Sequence, residues 1–209
     1  MPLVMDANAA HLSNVFDGTP AATSSTLCRD DRKLLIRVAQ ASVSHGLSHR
    51  APLPMDLAQV PPALQQVRAT FVTLHIGDDL RGCIGTLEAR RPLVADVAEN
   101  AFAAAFRDHR FKPVTEVEFY LLHFHISILH PAEPMTVASE DDLLQQLRPG
   151  VDGLIMQEDA RRATFLPDVW HSVREPRSFL AHLKQKAGLP TDYWSPGLRF
   201  WRYTTEGVD

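Results

Sequence analysis

A cysteine between two glycines, with a guanidinium two residues before it, is a grouping that could activate a thiol; it occurs at Arg81-Gly82-Cys83-Ile84-Gly85-Thr86. A neighbouring cation favours the thiolate, the form that attacks electrophiles. Catalysis would further need a base and N–H donors for a developing oxyanion. Cys83 is thus a candidate nucleophile and His109 a candidate base, with His123 and His125 also available. The backbone at Gly82 and Gly85 is a candidate donor set. The same residues equally suit a small buried cysteine, because free cysteine is among the most buried residue types and glycine inside a strand marks a bulge or a close approach. Spacing alone leaves both readings open.

A second polar group, Asp108-His-Arg110-Phe-Lys-Pro113, lies further on. Charged pairs at a helix exit commonly secure the loop. Asp108 and Arg110 could instead join Arg81, Gly82, Gly85 and Thr86 in holding an anionic or small polar ligand. The expected geometry is one concave site between two lobes, with Arg81, Cys83 and Thr86 beside Asp108 and Arg110. For metal, His123-x-His125 shares one strand face as a half-site, but no third ligand is evident and none is assigned. His45 and His49 are four apart, with Gly46 interrupting their helix. No phosphate loop, dinucleotide fingerprint, serine elbow or zincin motif is present, and no cofactor is assigned.

The elements that must position these groups are readable from periodicity. Alternation over Ala69–Ile76 and the turn signal Gly77-Asp78-Asp79 predict a hairpin whose second strand carries the cysteine. In a regular strand Arg81 and Cys83 share a face. From Pro92, Val94, Val97, Ala98, Ala101, Phe102, Ala105 and Phe106 recur at helical spacing, with Pro113 forbidding continuation. Leu34, Leu35, Val38, Ala39 and Val43 predict an earlier helix, capped by Asp30 or Asp31 and stopped at Gly46. A strand over Leu122–Leu129 puts His123, His125 and Ser127 on one side. A helix from Ser139, a hairpin around Glu158-Asp159, a helix from Glu175 to Ala187 and a final strand over Leu198–Thr205 complete the pattern. Trp194, Phe200, Trp201 and Tyr203 read as core or lobe interface. Hairpins mixed irregularly with helices predict an α+β fold, with mostly antiparallel sheets flanked by helices. Residues 1–26 read as a tail and 27–209 as a single domain.

Composition narrows the function classes. The net charge of −4 without a dense Lys/Arg run disfavours nucleic acid as partner. No apolar run approaches the roughly 20 residues that span a bilayer. Two cysteines make no disulfide framework, and the first residues read as no signal peptide. The expected setting is the cytoplasm.

Leu80–Leu87 resembles the signature of the AMMECR-type domain family. Ala104–Pro113, His125–Leu129, Pro149–Ile155, Thr164–Pro167 and Lys186–Leu189, followed by Trp194, are similar to its further blocks in order. The resemblance implies two lobes of unequal size with a cleft between them, the larger built from both chain ends. It also implies partners: a Memo-like protein and a radical-SAM enzyme accompany such domains in microbial gene sets. His125 lies where the family often has glutamate, which speaks against a required Cys–His pair. The functions implied are a cysteine-dependent enzyme or enzyme component acting on a small polar substrate, or a non-catalytic binding or adaptor module for those partners.

Overall fold

Helix α1 (Arg29–His49) begins on a cysteine. In the computed structural model, which describes residues 27–209, the Sγ of Cys28 accepts the Asp31 N–H at 3.4 Å while the Asp31 carboxylate accepts the Cys28 N–H at 3.1 Å. This reciprocal cap replaces the expected start at Asp30 or Asp31. The expected tail, residues 1–26, lies outside the described residues. Gly46 does not stop the helix. A Cβ there would sit 2.4 Å from Phe106 Cε2 and 2.7 Å from Phe102 Cδ2, so its glycine serves close helix packing. The stop is Arg50, in the left-handed region at φ 55°. The helix is therefore continuous between His45 and His49, whose rings stack at 4.1 Å.

Strands β1 (Thr70–Ile76) and β2 (Asp79–Gly85) form the expected antiparallel hairpin. Helix α2 (Leu93–Phe106) is buried almost all round, because one side packs on β1 and β2 and the other on α1. Alanines at 98, 101, 104 and 105 permit both approaches. Next come α3 (Glu116–Phe119), a single turn that periodicity did not reveal, and β3 (Leu122–Leu129), antiparallel to β1. Val72, Leu74, Phe124, Ile126 and Ile128 face the helices and close the first core.

A second core follows in β4 (Glu133–Met135), α4 (Glu140–Gln146), β5 (Gly153–Glu158), β6 (Arg161–Phe165), α5 (Pro176–Lys186) and β7 (Arg199–Tyr203). Trp170 stacks on Phe179 at 3.9 Å, and Trp194 on Phe200 at 5.7 Å. Phe200 and Tyr203 are core residues of this part. The final strand expected over Leu198–Thr205 is two: the chain leaves β7 at Tyr203 and enters β8 (Thr205–Val208) in the first sheet. Strand orders are β2-β1-β3-β8 and β4-β7-β5-β6. The fold is α+β. It comprises two compact units, one of residues 27–130 with Glu206–Asp209, the other Pro131–Thr205.

Candidate functional site

Strand β2 ends its sheet, and an edge strand presents unpaired N–H and C=O groups. At Cys83 both are taken by the loop after α2. Asp108 Oδ2 accepts the Cys83 N–H at 2.9 Å, and Arg110 Nη2 donates to the Cys83 carbonyl at 3.3 Å. Arg110 also grips Asp108 through Nε–Oδ1 at 2.9 Å and Nη2–Oδ2 at 2.6 Å. The ion pair thus takes the place a neighbouring strand would fill. Val114 N–H, bonded back to the Ala105 carbonyl at 2.9 Å, folds the loop onto the helix end. Burial opposes ionisation of Asp108, but the Arg110 guanidinium and the N–H groups of Cys83 and Arg110 outweigh it and hold the carboxyl below its ordinary value.

Arg81 is held differently. The pairing steps from Leu74 opposite Gly82 to His75 opposite Leu80, leaving Arg81 as the extra residue of a bulge. Strand alternation therefore does not set its direction; its partners do. Nε and Nη2 meet the Glu118 carboxylate at 2.9 and 3.2 Å, Nη2 also donates to the Lys112 carbonyl at 2.9 Å, and Nη1 is buried without a partner. The Phe111 ring lies 5.9 Å from the Arg81 guanidinium and 5.4 Å from that of Arg110. Glu118, unnoticed in the sequence, also closes the capping box of α3 with Thr115. The Arg81 hydrogen bonds, and then those of Thr115, pull its carboxyl down to about 2. A depressed carboxyl contributes stability above its unfolded-state value of 4.5, lost as pH falls toward about 2. In Arg81→Ala the Glu118 carboxyl is expected to titrate closer to 4.5 by carbon-detected NMR; an unchanged titration would contradict the pairing.

Both glycines of the motif mark close approaches. A Cβ on Gly82 would lie 2.2 Å from the Ala104 carbonyl oxygen of α2, and one on Gly85 2.2 Å from Phe71 Cγ. Thr86 joins another group: its hydroxyl reaches the buried Asp96 carboxylate at 3.2 and 3.3 Å, and its N–H the Thr70 carbonyl at 3.0 Å. The sequence-predicted residues therefore divide in three. Cys83, Asp108 and Arg110 touch, Arg81 turns to α3, and Thr86 turns to α2.

The Cys83 residue is 4% exposed, and its Sγ accepts from the Thr73 hydroxyl at 3.3 Å. Register places Cys83, Thr73 and His125 in one row across β2, β1 and β3. Two strand spacings, about 10 Å, separate the backbones of Cys83 and His125. His125 Nδ1 meets Asp209 at 2.5 Å. His123 and His109 are exposed. Among the described residues no group of three or more His, Cys, Asp or Glu is placed to hold a metal ion. No helix among them is long and apolar enough to cross a membrane.

Comparison with known proteins agrees with this architecture. A Methanothermobacter thermautotrophicus protein is 36% identical over 188 residues, covering 86% of this chain and 94% of its own length. A Thermotoga maritima protein is 39% identical over 150 residues, covering 70% of this chain and 81% of its own. The crystal structure of an uncharacterized Pyrococcus horikoshii protein superposes with a TM-score of 0.77 at 30% identity, covering 83% of this chain and 88% of that one. The AMMECR1 family model matches residues 36–208, and the chain belongs to the AMMECR1 family.

Proposed function

We propose that the domain is a non-catalytic binding module in which the Arg81–Thr86 strand is an internal clasp. The observation that carries this reading is where the motif spends its polar groups. The Cys83 backbone is closed by Asp108 and Arg110, Arg81 is drawn to Glu118, and Thr86 is bonded to Asp96. A strand so engaged joins the hairpin, α2 and the loop to α3 into one rigid body. The Memo-like and radical-SAM proteins that the family resemblance implies are the partners to test by co-purification.

Cysteine-dependent chemistry on a small polar substrate is the second reading. It is favoured by the hydroxyl that donates to the Cys83 sulfur and by the partnerless Arg81 Nη1. The protein's own cysteines separate the two, since Cys28 is exposed and Cys83 buried. In the folded protein, peptide-resolved iodoacetamide labelling is expected to modify Cys83 on the order of a hundredfold more slowly than Cys28, the difference vanishing in denaturant. Labelling of Cys83 as fast as Cys28 would overturn the module reading in favour of a reactive thiol.

A further inference from the structure

We infer that His45 and His49 form a two-imidazole site for a divalent transition-metal ion of the zinc class, on the last turns of α1. The inference goes beyond the module reading and does not depend on it. Spacing of four along a continuous helix puts both side chains on one face, and their rings stack at 4.1 Å, 7° from parallel. What singles the pair out is where its protons lie. His45 Nδ1 is 2.9 Å from the Ala51 carbonyl, and His49 Nδ1 is 3.2 Å from the His45 carbonyl. A carbonyl only accepts, so each Nδ1 carries the hydrogen and the neutral ring keeps its lone pair on Nε2. Metal-binding histidines have this tautomer, with the second nitrogen donating to a carbonyl or carboxylate. Among the described residues neither Nε2 has a hydrogen-bond partner. His49 is exposed and His45 half-buried.

The fold builds the support behind the rings. Arg50, left-handed at φ 55° with its N–H on the Gly46 carbonyl, turns the chain back along the helix. The Leu53 N–H then bonds the Ser42 hydroxyl at 3.1 Å, and buried Ser42 donates on to the Ala98 carbonyl of α2 at 2.6 Å. Ala51 is thereby fixed beside His45 in advance of any ion. Donor atoms, not surrounding charge, select the occupant. Imidazole nitrogen suits zinc, copper and nickel, whereas magnesium and calcium take oxygen. Arg50 adjoins His49 in the chain, exposed, and opposes any cation. One zinc ion about 2.0–2.1 Å from each nitrogen holds the two within about 4.2 Å of each other. To converge on it the rings tilt out of their stack, by rotation about χ2, a broad torsion in histidine. No third ligand joins the pair among the described residues, so water fills the remaining positions and the ion is exchangeable.

The test is titration of the full-length, metal-free protein with Zn²⁺ alone, followed by calorimetry and by the ring carbon–proton NMR signals of its ten histidines. The first equivalent is expected to shift the His45 and His49 rings together and to leave His123 and His125 in place. His49→Gln lies at an exposed position, so it is expected to keep the metal-free thermal midpoint while binding Zn²⁺ about tenfold or more weakly. His45→Gln/His49→Gln should bind little worse than that, because a chelate is lost with its first arm. Mg²⁺ should move neither ring. Zinc that leaves both rings unmoved, shifts one alone, or binds His49→Gln as tightly as the wild type would overturn the inference. So would magnesium that shifts both rings. The ring signals of the wild-type protein decide the outcome even if a variant fails to fold.

Discussion

Asp96→Ala is expected to destabilise the unit formed by residues 27–130 and Glu206–Asp209 by about 3–5 kcal/mol, the range for removing one partner of a buried ionic network. Asp96 is 1% exposed inside α2. Its Oδ2 accepts from the Thr70 N–H and hydroxyl at 2.9 and 2.8 Å and from Asn100 Nδ2 at 2.9 Å, while Arg91 Nε and Nη2 approach Oδ1 at 3.2 and 3.1 Å. Thr86 adds its hydroxyl. Truncation removes the acceptor and strands several donors, one of them the N–H that opens β1. Asp96→Asn keeps the shape but loses the charge and sets its amide against other donors, so it should recover only part of the loss. Urea unfolding with unchanged slope would measure both. A cost under about 1 kcal/mol for the alanine variant would mean that water replaces the lost acceptor and that the network is not the joint described.

Gly82→Ala is expected to be comparably severe, at about 2–3 kcal/mol or more, because its Cβ would meet backbone and not a flexible side chain. At 2.2 Å from the Ala104 carbonyl oxygen, the methyl group can fit only if α2 and β2 separate. Asp108 follows α2 directly and holds the Cys83 N–H, so separation would also loosen the clasp. Two effects should therefore appear together: a lower unfolding midpoint, and faster labelling of Cys83. Gly77→Ala provides the contrast. Its φ of +58° strains an alanine, yet nothing lies within 4 Å of the added Cβ, so its cost should stay near about 1 kcal/mol with Cys83 still protected. If Gly82→Ala leaves both readouts unchanged, the close approach of helix and strand is wrong.

What the sequence determined by itself is what repeats at short range. The α2 stripe, the hairpin at Gly77-Asp78-Asp79, the β3 alternation and the stop at Pro113 each depend on residues a few positions apart. The stripe, hairpin and alternation appear where spacing places them, and so does the α+β class, whereas α2 already ends at Phe106, seven residues before the proline that forbids its continuation. The glycines at 82 and 85 were legible as a bulge or close approach, and the structure has both. What escaped spacing is long-range pairing. Glu118 answers Arg81 from 37 residues away, and Asp96 answers Thr70 across 26; a lone carboxylate in a helix or loop carries no local mark of such a partner. Gly46 reads locally as a helix stop, and only the Phe102 and Phe106 rings against it explain why the helix continues. The last strand reads as one run because no Gly, Pro, Asn, Asp or Ser interrupts Leu198–Thr205, whereas the division between β7 and β8 depends on which sheet offers free backbone groups. Tertiary structure likewise decided the candidate site. Local chemistry left Cys83 open as a reactive thiol or a buried one, and the two groups that close its backbone come from a loop about 25 residues downstream, brought there by the packing of α2 on the sheet.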